Sequence, residues 1–115
     1  MKIQEILSLI SGTIVEGEVF ADRDVDCAFT SDLMSDVLTL RTDKMVMLMT
    51  GLANMQTIRT CEMSDIKVVV FVRGKKVTDE MKELAADNEM VLIETNYSAY
   101  RSAGILFGAG LPGVY

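Results

Sequence analysis

Met45-Val46-Met47-Leu48-Met49-Thr50-Gly51 is apolar at five successive positions before it ends in a hydroxyl and a glycine. Side chains alternate across a strand, so a run that is apolar on both alternating faces predicts a central strand covered on both sides. Working outward, the same grammar repeats. Cys27-Ala28-Phe29 runs into Thr30-Ser31-Asp32, Val68 to Val72 runs into Arg73-Gly74, and Val91-Leu92-Ile93 runs into Glu94-Thr95-Asn96. A helix-like pattern follows each run. Alternating strands and helices predict a single α/β domain with a mostly parallel sheet flanked by helices.

The intervening segments fill in the elements. Ile3, Ile6, Leu7 and Ile10 recur at helical spacing, and Gly12 is placed to end that helix. Thr13 to Phe20 alternates as a half-exposed edge strand, with Val15 and Val19 on one face. Asp32 is placed to cap a helix running to about Arg41, with Leu33, Val37 and Leu40 on one face. Asn54 and Thr78 are placed to cap the next two helices, which carry Ile58 and Cys61, then Met81 and Ala85, inward. Asn96 precedes a last helix whose Tyr97, Tyr100, Gly104 and Phe107 form a stripe. Residues 108–115 read as a flexible tail, leaving 1–107 as the domain.

Composition excludes several classes of function. Half the residues are hydrophobic, which favours a packed core over disorder. The net charge of −6 disfavours nucleic acid and anionic membrane as partners, because both need a basic surface. The first residues, MKIQEILSLISG, are broken by Gln4, Glu5 and Ser8 and do not read as a signal peptide; a cytoplasmic setting is the expectation. The chain has no histidine, and Cys27 and Cys61 form no CxxC, so neither a zinc site nor a His-based nucleophilic mechanism is expected. Neither GxxxxGK[ST] nor a GxGxxG after a strand occurs, so no cofactor and no kinase or ATPase activity are expected.

Ligands of parallel sheets gather at the carboxyl ends of strands. That places a candidate ligand site at Ser31, Asp32, Thr50, Gly51, Arg73, Thr95 and Asn96. Asp32 and Asp36, four apart, would share a helix face and could hold a cation or act as acid and base, whereas the plainer reading makes Asp32 a cap. Arg73 could clamp an anion beside the Thr50-Gly51 turn.

These residues also carry a resemblance. Asp32-Leu33-Met34-Ser35-Asp36-Val37, Asp43-Lys44 before the strand ending Thr50-Gly51, the strand ending Val72-Arg73-Gly74, and Thr95 to Tyr100 together resemble the small stand-alone DRTGG-domain proteins, from about Ile3 to Phe107. The resemblance implies a compact α/β domain related to the amino-terminal domain of HPr kinase/phosphorylase. Stand-alone members are bacterial and often encoded near iron-only hydrogenase genes, and other members look regulatory or dimer-forming. No catalytic residue is established for the domain. This chain departs from the eponymous motifs, with Leu52 and Ala53 after Thr50-Gly51 where such domains often carry an aspartate and arginine, and Val72-Arg73-Gly74 where a Thr-Gly-Gly often follows the next strand. The functional expectation is a non-catalytic regulatory or ligand-sensing module, acting as a homodimer or through a regulatory protein partner or a small anionic ligand. Two alternatives are an enzyme built on Asp32, Asp36 and Arg73, and a structural accessory protein of a hydrogenase system.

Overall fold

The computed structural model describes residues 1–115. Five strands, β1 (Thr13–Glu16), β2 (Cys27–Thr30), β3 (Val46–Thr50), β4 (Val68–Phe71) and β5 (Val91–Glu94), form one sheet in the order β1-β5-β4-β3-β2. β2 to β5 run parallel, and β1 pairs antiparallel with β5 at the edge. The helices are α1 (Ile3–Ile10), α2 (Met34–Val37), α3 (Met55–Met63), α4 (Asp79–Asp87) and α5 (Ala99–Gly108). This is the α/β architecture that the apolar runs predict.

Because β2, β3, β4 and β5 lie side by side in chain order, uniform crossover handedness puts every connecting helix on one face. Met34 and Val37 of α2, Ile58 and Cys61 of α3, and Met81 and Ala85 of α4 accordingly pack on Leu48, Val69, Phe71 and Leu92. The other face of the sheet meets α1 and α5, where Ile3, Ile6, Ile10 and Leu106 pack on Met47, Met49, Val68, Val70 and Ile93. β3 is buried at every residue, so its methionines are core. Phe71, also fully buried, contributes roughly 1.5–3 kcal/mol by leaving water. No helix is long and apolar enough to cross a membrane.

Local details depart from the sequence expectations in four places. The first strand stops at Glu16, and Glu18–Phe20 forms a 3-10 turn that leaves Val19 exposed. Gly17 makes the break, at φ 86°, with its Cα so close to β5 that a Cβ would sit 2.2 Å from the Met90 carbonyl oxygen. Helix α1 ends on Ser11 in the left-handed region, not on Gly12; Gly12 is instead where α1 presses on β5, since a Cβ there would lie 3.0 Å from Ile93 Cγ2.

The second helix is only Met34–Val37, rather than Asp32 to Arg41. Leu33 is 58% exposed and lies outside the core, while Met34 and Val37 are buried. Asn54 and Thr78 do cap α3 and α4, accepting from the Thr57 and Met81 amides. The last helix begins after Asn96, with Ser98 as its cap accepting from the Arg101 amide.

Of residues 108–115, expected as a flexible tail, Gly108 closes α5 and the stretch from Leu111 to Val114 runs parallel to β2 along its outer edge. The Ala28 amide donates to Pro112 O at 2.9 Å, the Val114 amide donates to Ala28 O at 3.0 Å, and Leu111 is buried. Pairing of otherwise open edge groups is the physical reason the segment lies there.

Candidate functional site

The carboxyl rim of the parallel strands holds two hydrogen-bonded nodes. At β2 and β3, Asp32 Oδ1 accepts from Thr50 Oγ1 at 3.0 Å and from the Gly51 amide at 2.7 Å. Thr50 Oγ1 in turn accepts from the Leu52 amide at 3.1 Å. The carboxylate thus ties two strand ends together, which is why it does not cap α2. Ser31 serves its own turn, its Oγ accepting from the Leu33 amide at 3.0 Å. Asp32 lies outside the helix that carries Asp36, so the two carboxylates share no helix face. No three Cys, Asp or Glu side chains converge as a cation site.

At β4 and β5 the second node is built from the backbone. Arg73 and Gly74 both lie in the left-handed region, at φ 58° and 72°. Their amides donate to Tyr97 O at 2.8 Å and to Thr95 O at 3.0 Å. Thr95, 3% exposed, donates its hydroxyl to Ile10 O at 2.6 Å and accepts from the Tyr97 amide at 3.1 Å. Its side chain is therefore spent on structure. The Arg73 guanidinium is exposed and enters no ion pair. Arg101 stacks over Tyr97 at 3.7 Å, and the Tyr97 hydroxyl meets Ser11 Oγ at 3.2 Å.

Between this node and β1 lies a polar cavity of about 220 Å³, lined by Ser11, Thr13, Gly74, Lys76, Glu94, Thr95 and Asn96. Its position has a topological cause. Among β2 to β5 the order never reverses, so no crevice opens between parallel neighbours. The direction changes only where β1 joins β5, and there Thr13 pairs with Glu94. Glu94 accepts from the Val77 amide at 2.8 Å and pairs with Lys76 at 3.4 Å. Hydroxyls, an amide, a cation and a carboxylate can recognise a polar ligand, but they contain no nucleophile activated by a base.

Ser11, Thr13, Lys76 and Glu94 were absent from the sequence-derived site. The antiparallel register that unites them joins positions about eighty apart, and only the strandedness of Thr13 to Glu16 hinted at it. Of the expected residues, Asp32, Thr50 and Gly51 come together in one node, and Arg73, Thr95 and Asn96 in the other.

Beside the rim, α5 presents an apolar face. Tyr100 and Phe107 are 91% and 73% exposed, and open space surrounds Gly104 between them. Tyr97 precedes the helix and is not part of that face. Between α5 and β2 a groove of about 160 Å³ runs over Ala28, Thr30, Met49, Ala103 and Leu106, and opens onto Ala99 and Tyr100.

Both cysteines are free and buried. Burial pushes the Cys61 thiol up to about 12. Cys27 is also raised by burial, with the Lys44 charge opposing the rise and Asp26 adding to it.

No family model and no curated protein sequence matches this chain. A solved structure does: the CBS and DRTGG domains of the regulatory region of Clostridium perfringens pyrophosphatase, complexed with its activator diadenosine tetraphosphate. It superposes with a TM-score of 0.69 at 14% identity, over 99% of this chain and 49% of that one. The likeness is one of fold, and this chain spans about half the length of that protein's solved region.

Proposed function

We propose that this protein is a non-catalytic regulatory module that senses a small anionic ligand at the carboxyl rim of its sheet and acts through self-association. The observation that carries the reading is the apolar face of α5, with Tyr100 and Phe107 standing out beside a groove on the same surface. A protruding aromatic next to an apolar recess is self-complementary under a two-fold axis, the commonest symmetry of soluble oligomers. The face also carries none of the acidic side chains that give the chain its net charge of −6, so two copies can meet there with little repulsion.

The fold of a regulatory region whose solved structure holds an activator nucleotide supports a sensing role. Arg73, exposed and unpaired beside the rim cavity, supports an anion, and Lys76, paired with Glu94, lines the cavity with Asn96 and the hydroxyls of Ser11 and Thr13. Sedimentation at micromolar concentration tests the association. Wild type is expected as a dimer and Phe107→Lys as a monomer, whereas a wild-type chain of only 12.7 kDa would overturn self-association. A thermal-shift panel of nucleotides and phosphorylated metabolites tests the sensing. Stabilisation by one of them that disappears in Arg73→Gln with Lys76→Gln is expected. A flat panel would overturn it.

A further inference from the structure

We propose that a second cavity, at the opposite end of the strands from the rim, binds a small phosphate-bearing molecule with a planar ring. The cavity measures about 310 Å³ and lies where β2 and β3 begin, below the segment that runs along β2. That is the lower end of the size range for small-molecule sites.

Its charge is the opposite of the chain's. Arg41 and Lys44 both line it, and no acidic side chain does, in a protein of net charge −6. Three lysines elsewhere, Lys2, Lys67 and Lys76, each pair with a carboxylate, but Arg41 and Lys44 enter no ion pair. Two carboxylates stand close by without lining the cavity. Asp26 accepts from the Met45 amide at 2.8 Å, and Asp43 lines an adjoining cavity with Ser64 and Asp65 that shares Thr42 and Lys44 with this one.

The groups are also positioned. Arg41 Nη1 donates to Leu38 O at 2.9 Å and to Leu40 O at 3.0 Å, which fixes the guanidinium and leaves its other N–H groups without a protein acceptor. Thr42 Oγ1 accepts from the Lys44 amide at 3.1 Å, so its hydroxyl hydrogen is unspent. A fixed guanidinium, an ammonium and a hydroxyl donor are the set that phosphate oxygens take. Burial raises the Cys27 thiol at the cavity wall, the Lys44 charge works against that rise, and the Asp26 carboxylate adds to it. One side of the cavity is the Tyr115 ring, held edge-on to Phe29 at 6.1 Å, and a ring on the ligand can stack there.

The site is independent of the rim, and its test separates the two. Adenosine monophosphate is titrated into the full chain while amide chemical shifts are followed by NMR. Saturable shifts centred on residues 41–44 and 114–115 are expected, with adenosine alone giving none. Arg41→Gln with Lys44→Gln should weaken binding by about tenfold or more. Arg59→Gln, exposed on α3 and outside both cavities, should leave it unchanged. Both altered positions are exposed, so the fold is expected to persist; if the double variant fails to fold, Lys44→Gln alone carries the comparison. The proposal fails if adenosine monophosphate gives no saturable shift, if the shifts centre on Gly74 and Asn96, or if the cationic variants bind as wild type does.

Discussion

Thr95 donates its hydroxyl to the carbonyl of Ile10 at 2.6 Å, across 85 positions of sequence and between two buried residues. One hydroxyl thereby closes the last turn of α1 against the end of β5, and the same oxygen orders the turn into α5 through the Tyr97 amide. Thr95→Val keeps the shape and removes both bonds. It leaves the Ile10 carbonyl buried and unpaired, a loss of about 1–3 kcal/mol. Urea denaturation should show a lower midpoint at unchanged slope.

Ser102 gives the opposite result. Its Oγ is buried in α5 without any hydrogen-bond partner. Ser102→Ala removes an unsatisfied hydroxyl and raises helix propensity, so it is expected to stabilise the protein by about 1 kcal/mol. A melting temperature below that of wild type would contradict the assignment of Ser102 Oγ as a buried, unpaired hydroxyl.

The Cys61 thiol makes stability fall in alkali. Its pKa rises from 9.0 in the unfolded reference to about 12 in the fold, because burial disfavours the thiolate. Between those values the unfolded chain binds fewer protons than the native one, so stability is full below pH 9 and declines as pH rises toward 12. Cys61→Ala should flatten that part of the curve, at the cost of a small cavity. Native Cys61 should also resist alkylation at neutral pH, and rapid labelling without unfolding would count against its burial.

Much of the fold was legible because burial writes itself into local pattern. Met45 to Met49 and Val68 to Val72 are apolar on both faces because helices cover both faces of the sheet. Asn54 and Thr78 cap helices by a bond to a residue three positions on, so the signal is local. The misreadings have the opposite character. Asp32 has the side chain of a cap, yet its oxygen is claimed by Thr50 and Gly51 on the adjacent strand, a partner that no window around Asp32 reveals. Val19 fits a strand, but Gly17 must approach Met90 too closely for the strand to continue. The seven expected site residues do fall on one rim, since the strand ends are readable. The cavity there depends on β1 lying antiparallel to β5, which is a matter of register between distant segments.

The segment along β2 changes what counts as the unit of this fold. A chain shortened to Phe107 would retain the residues of all five strands but lose the last residue of α5 and the buried Leu111. It would also leave the amide and carbonyl of Ala28 pointing outward from an edge that Pro112 and Val114 now occupy. An unoccupied parallel edge is a template, and a second sheet can extend it without limit. The few residues past the last helix thus act as a stopper, turning an open-ended lattice of strands into a molecule with a border.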